Sequence, residues 1–151
     1  MDIRVDDLSG SEIKQLLTEH LEDMFAVSPP ECVFALDLDG LKKPNITFWT
    51  VWQDRQLLGC GALKTLDDTH GEIKSMRTTS AARNKGVAST LLRHILDAAK
   101  QKGLNKISLE TGSQDFFAPA RKLYAKHEFR ECDPFSDYKL DPHSVFMSRT
   151  L

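Results

Sequence analysis

Two cations and a glycine stand together in Arg83-Asn84-Lys85-Gly86-Val87-Ala88, just ahead of the most regular apolar stripe in the chain. The first turn of a helix has free backbone N–H groups and the positive end of the macrodipole, so it can hold an anion. Gly86 lets the backbone approach such a ligand closely, small Ala88 leaves room beside it, and Arg83 and Lys85 add charge at the same mouth. The chemistry this spacing serves is the holding of a phosphorylated ligand. The plain alternative is a glycine-containing turn that merely joins a strand to a helix. The stretch is not a P-loop, because Lys85 precedes Gly86, and it is not the Gly-x-Gly-x-x-Gly of dinucleotide folds.

Other chemistry-bearing types are scattered. The five histidines form no His-x-x-x-His or His-Glu-x-x-His pattern, so no metal is expected. Asp37-x-Asp39 lacks the rest of a calcium loop. Cys32, Cys60 and Cys132 are odd in number and widely spaced, which fits free thiols in a reducing compartment. With 151 residues, 40% hydrophobic and 28% charged, the chain reads as one soluble domain with a single core. Its formal net charge of −2 gives no broad basic field for nucleic acid. The acidic start Met1–Asp7 lacks the apolar core of a signal peptide. No apolar run approaches the roughly 20 residues that span a bilayer. A cytoplasmic location is expected, with no membrane partner.

The elements that must position the loop follow from periodicity. Ile3 and Val5 alternate with charges as a first strand. Ser9-x-x-Glu12 has the form of a capping box, and Ile13, Leu16, Leu17, Leu21, Met24 and Phe25 recur at helical spacing until Ser28-Pro29-Pro30. A second short helix is expected between Glu31 and about Leu41. Thr47–Trp52 and Gln56–Leu63 read as a hairpin turning at Asp54-Arg55, and Gly59 and Gly61 suggest a bulge or a close backbone approach. Glu72–Arg77 is a strand leading into the loop. Val87, Ala88, Leu91, Leu92, Ile95, Ala98 and Ala99 stripe the following helix, which Gly103 is placed to cap. Lys106–Thr111 is the next strand, so the unit is a parallel crossover. A helix from about Phe116 to His127 and two closing strands, Phe129–Glu131 and Ser144–Met147, complete the order β-α-α-β-β-β-α-β-α-β-β.

Arg83-x-x-Gly86-x-Ala88 resembles the acetyl-CoA pyrophosphate loop of the GNAT superfamily of N-acetyltransferases, and the element order matches. Leu123-Tyr124-x-x-x-Glu128-Phe129 is similar to that family's Leu-Tyr-x-x-x-Gly-Phe signature, with Glu128 where glycine usually eases the turn out of the helix. The segment from Pro134 to Met147 further resembles the YsnE-type branch. The resemblance implies an α/β (α+β) fold: a mixed sheet of about seven strands, splayed between the fourth and fifth, with about four helices. It implies acetyl-CoA along Met76, Arg77 and Thr78, with Arg83, Asn84, Lys85, Gly86, Val87, Ala88 and Ser89 around the pyrophosphate. Strand-edge backbone groups would pair with the pantetheine amides, so side-chain identity matters little there.

Acyl transfer needs a deprotonated amine, a polarised thioester and a stabilised leaving thiolate. The resemblance makes Tyr124 the acid, since a phenol with a pKa near about 10 stays protonated at neutral pH. By periodicity alone Tyr124 reads first as a core aromatic, on the stripe with Phe116 and Ala120. Glu72 is the expected base, at a strand position that carries glutamate in many members; the alternative is a solvated glutamate after a turn. Phe34, Trp49 and Tyr138 are the aromatic candidates for an acceptor wall, and each also suits a core. The expected reaction is direct transfer of acetyl from acetyl-CoA to a small primary amine. Its rivals are a peptide N-terminus or lysine as acceptor, and a non-catalytic acyl-CoA sensor. An exposed strand edge near the C-terminus would suit a homodimer.

Overall fold

The computed structural model describes residues 1–33 and 36–151. Seven strands form one mixed sheet: β1 (Asp2–Val5), β2 (Ile46–Gln53), β3 (Gln56–Thr65), β4 (His70–Thr78), β5 (Lys106–Gly112), β6 (Arg130–Glu131) and β7 (Ser144–Thr150), in the spatial order β1-β2-β3-β4-β5-β7-β6. Four α-helices flank it: α1 (Ser11–Val27), α2 (Leu38–Leu41), α3 (Val87–Gln101) and α4 (Ala118–Lys126). Every neighbouring pair is antiparallel except β4 with β5, which the α3 crossover makes parallel. This is the expected mixed seven-stranded sheet with four helices.

Two apolar clusters divide the faces of the sheet. Leu91, Leu92, Ile95 and Ala99 of α3 pack with Val51, Ile73, Ile107 and Leu109 on one side. Ile13, Leu16 and Leu17 of α1 pack with Phe48, Cys60 and Ala62 on the other. The stripe on α1 thus points inward as its spacing predicts, although Phe25 at its end is 53% exposed. Its N-terminus differs from the expected capping box. Gly10 is the N-cap, without a side-chain bond, because Ser9 donates its hydroxyl to Asp7 at 2.6 Å. The second helix is shorter than expected, one turn whose amide at Gly40 is capped by the Asp37 carboxylate at 2.9 Å. That cap occupies half of the Asp37-x-Asp39 pair.

Turn chemistry is where the sequence predicts. Asp54 and Arg55 both have positive φ, 51° and 67°, which matches the right-handed twist of the hairpin they close. Gly103 ends α3 at φ 86°. Glu128 adopts φ 72°, so it holds the left-handed turn that glycine would take without strain. Arg149 supports that turn, donating to the His127 carbonyl at 2.9 Å and pairing with the Glu128 carboxylate at 3.2 Å.

The feature that positions the site is a bulge. Ala62 pairs with Lys74 but Cys60 pairs with Arg77, so Ser75 and Met76 together face Gly61. Ser75 carries the extra turn at φ 56°. A Cβ on Gly61 would stand 2.5 Å from the Met76 sulfur, which is why this strand position has no side chain. β4 and β5 pair only from His70 to Ile73 and from Lys106 to Leu109. Past that point they separate. Among the described residues no helix is long and apolar enough to cross a membrane.

Candidate active site

The gap between the separating strands is a groove of about 110 Å³. Glu72, Ile73, Lys74, Ser75 and Met76 line it from β4, Glu110, Thr111 and Gly112 from β5, Phe117 and Tyr124 from the α4 side, and His20 and Met24 from α1. Past Ile73 the edge of β4 facing β5 has no strand beside it among the described residues, so its backbone groups are open to an extended ligand. The other edge is occupied: Thr78 pairs with Gly59, and the Thr79 amide donates to Leu58 at 2.8 Å.

At the mouth of this groove, a single 3₁₀ turn (Ser80–Ala82) and the residues Arg83–Gly86 lead into α3. Asn84 and Gly86 both have positive φ, 62° and 78°, which turns successive amides to one side ahead of the helix. Gly86 is the N-cap and makes no side-chain bond, so the first-turn amides of α3 have no cap. Arg83, Asn84, Lys85 and Gly86 are exposed, whereas the Val87 side chain is buried in the core, leaving its backbone as the part that can reach a ligand. The Ser89 hydroxyl is 2.9 Å from Nε2 of His127 and ties the start of α3 to the end of α4. Arg77 is a different case. Its guanidinium binds Asp23 on α1 at 2.6 Å, so only its backbone belongs to the loop.

Tyr124 projects from α4 into the groove and is 6% exposed; its ring packs edge-on against Phe129. Its hydroxyl donates no hydrogen bond among the described residues. Burial, and then the charge of Glu110, push its pKa well above that of an ordinary phenol. The group therefore keeps its proton.

Glu72 is buried at 2% exposure and lies in a closed triangle. Its Oε2 accepts from the Tyr138 hydroxyl at 2.6 Å and from Lys74 Nζ at 3.2 Å, and Lys74 also donates to the Tyr138 oxygen at 3.0 Å. The triangle pins the segment between β6 and β7 against β4. Tyr138 thus reaches the groove's edge as a partner of Glu72, which lines it. Trp49 does not: it is buried in the α3-side core, edge-on to His94, and lines no part of the groove. Its strand alternation sends it to the face away from α1. Phe34 lies outside the described residues.

Sequence reasoning missed Glu110. It lines the groove from β5, and among the described residues its side chain accepts one hydrogen bond, from the Ser144 hydroxyl at 2.9 Å. Burial raises its pKa to about 7, against the lowering effects of Ser144 and Lys74. Period-two alternation in Ile107-Ser108-Leu109-Glu110 does mark Glu110 as the partner-face residue after Ser108, but only the divergence of the strands turns that face into a cavity. Lys74, Ser75 and His20 also escaped notice.

A parallel strand pair that opens beside an uncapped helix start, with a protonated phenol and a proton-accepting carboxylate in the gap, suits acyl transfer from a long phosphorylated carrier. Residues 13–129 match the model of the acetyltransferase (GNAT) family, and the chain belongs to that family of acyltransferases. It is 52% identical to the uncharacterized N-acetyltransferase YsnE of Bacillus subtilis (strain 168) over 151 residues, 100% of both chains. It is 51% identical to the uncharacterized N-acetyltransferase YedL of Escherichia coli (strain K12) over 149 residues, 99% of this chain and 94% of that one. The crystal structure of a GNAT family acetyltransferase from Elizabethkingia anophelis with acetyl-CoA bound shares the fold, with a TM-score of 0.69 at 17% identity, covering 99% of this chain and 97% of that one.

Proposed function

We propose that this chain transfers an acetyl group from acetyl-CoA directly to a primary amine of a small molecule. The observation that carries the reading is the placement of Tyr124 and Glu110 in one groove between the separated strands. Pantetheine would lie along the free edge of β4 at Met76 and Thr78, and the amides from Asn84 to Ala88 would hold the pyrophosphate, with Arg83 and Lys85 adding charge. The acetyl-CoA bound by the Elizabethkingia anophelis protein supports the choice of donor. Glu110 takes the proton of the incoming amine, and the amine nitrogen then attacks the thioester carbonyl. The C–S bond breaks as the amide forms; the surplus proton left on the attacking nitrogen passes to the departing sulfur, which the Tyr124 O–H stabilises by a hydrogen bond. Its raised pKa makes it a hydrogen-bond donor to sulfur ahead of a full proton donor. Glu72, already bound to Lys74 and Tyr138, holds the acceptor wall in place, and the base role passes to Glu110. That pinned wall narrows the groove and favours a small acceptor over a peptide.

Calorimetric titration with acetyl-CoA tests the donor site. The parent should bind, and Arg83→Glu and Gly86→Glu should both lose binding while remaining folded. A folded parent that does not bind would sink the reading and leave the loop as an ordinary turn. Tyr124→Phe should then lower turnover far more than acetyl-CoA affinity; unchanged turnover would remove Tyr124 from the chemistry.

A further inference from the structure

The groove contains two polar atoms that nothing among the described residues satisfies. His20 is 7% exposed and its Nδ1 has no hydrogen-bond partner among them; Ser75 is 9% exposed and its Oγ has none there either. Both residues line the groove, His20 from α1 and Ser75 from the strained left-handed position of the bulge. Buried polar atoms are almost always paired, and orphans in a cavity mark a place where a ligand supplies the missing partner. Both line the same cavity as Glu110.

The surrounding charges restrict what that partner is. Burial, reinforced by Arg77, lowers the His20 pKa to about 4, so its imidazole is neutral near pH 7 and has no charge to offer a carboxylate. The neighbouring cations already hold carboxylates, Arg77 Nη2 with Asp23 and Lys74 Nζ with Glu72, although the buried Arg77 Nε has no partner among the described residues. A second ammonium on the ligand would stand near Arg77, and an added carboxylate would face Glu110. An uncharged hydroxyl meets neither repulsion. It can donate to an imidazole nitrogen and accept from a serine hydroxyl at once, which matches the two orphans in kind.

We infer that the acceptor is a small amino alcohol, with its amine at Glu110 and its hydroxyl between His20 Nδ1 and Ser75 Oγ. This rests on the acetyltransfer reading above and deepens it by naming the substrate class. A site built to hydrogen-bond a hydroxyl rejects the analogue that lacks it, because its own polar groups are then left unpaired.

The test compares ethanolamine and propanolamine with ethylamine and propylamine, with glycine and ethylenediamine as anionic and cationic controls, reading thiol release from acetyl-CoA. In the parent, the hydroxyl should raise kcat/KM by about tenfold or more over the plain alkylamine and over both charged controls. In His20→Leu that preference should fall to about twofold, with acetyl-CoA affinity unchanged by calorimetry, and His20→Asn should restore part of it by returning a polar atom near the Nδ1 position. Ser75→Ala gives an independent reading if His20→Leu does not fold, and should lower the preference too. Equal use of ethylamine and ethanolamine by the parent, or a preference that survives both His20→Leu and Ser75→Ala, would overturn the assignment. So would acetyl-CoA binding with none of the six amines consumed, and that result would leave the donor-site reading standing. Absence of acetyl-CoA binding is the separate failure of the acetyltransfer reading itself.

Discussion

β4 and β5 run together from His70 to Ile73 and from Lys106 to Leu109, then apart for the rest of their length. In the closed half, Ile73, Ile107 and Leu109 are buried in the α3-side core, and even Gly71 is so tightly surrounded that a Cβ would meet Leu104 at 2.9 Å. In the open half, Ser75, Glu110 and Thr111 face a cavity. Both carboxylates line that cavity, and they differ in their partners. Glu72 pairs in register with Ser108 in the closed half and has a cation and a phenol as partners; Glu110 lies just past the last paired residue and has one hydroxyl. One strand pair thus keeps stability at one end and reactivity at the other, and backbone divergence over a few residues makes the difference.

The sharpest way to break that contrast is to neutralise each carboxylate. Glu110→Gln should lower kcat by about 10²–10⁴-fold, the usual worth of a general base, and should raise rather than lower the melting temperature at neutral pH, because it removes the cost of ionising a buried carboxyl. Glu72→Gln should do the reverse. It removes the charged acceptor that the Lys74 ammonium, 8% exposed, and the Tyr138 hydroxyl share, and the loss in denaturant unfolding should be about 3 kcal/mol. Equal effects of the two on turnover would erase the distinction.

Next in size is the pH dependence of Glu110. Its folded-state pKa of about 7 lies above the ordinary 4.5, so ionising it costs the folded protein. That contribution to stability is fully present below about pH 4.5 and is lost as pH rises through about 7, an order-of-magnitude 3 kcal/mol at most. Turnover should move the opposite way, rising through about pH 7 as the base loses its proton. Glu110→Gln should flatten both profiles in that window.

Two smaller effects fall outside the groove. Gly61→Val should destabilise by about 1–3 kcal/mol, because its side chain would collide with Met76, Ile95 and Leu91. Since the bulge keeps the open half open, acetyl-CoA affinity should fall with it. Glu128→Gly should raise stability by about 0.5–1 kcal/mol in thermal unfolding, by removing a left-handed glutamate, and leave turnover unchanged.

Most of the fold was legible in the sequence because its signals are local. Apolar spacing located α1, α3 and the strands, and Asp54-Arg55, Gly86 and Gly103 stand at turns or caps with positive φ, as their types suggest. Misses came where a distant or competing partner decides. Ser9 was drawn to Asp7 and left the cap to Gly10. Trp49 had the right chemistry for a binding wall, but hairpin register put it on the core face. Glu110 reads as one polar residue in a strand until β4 turns away from it. The loop around Gly86 was visible because a helix start carries its own electrostatics; the orphaned His20 was not, since its environment is assembled from α1, β4 and Arg77.

The short seam has a mechanical consequence. Among the described residues it is where strand pairing joins the block β1–β4 to the block β5-β7-β6, so the sheet is two covers sharing a narrow spine. An extended ligand laid along the free edge of β4 would lengthen that spine and act as a staple. Amides at Ile73 and Leu109 would then exchange with deuterated solvent only through concerted separation of the covers, and a molecule filling the groove would slow exchange in both at once.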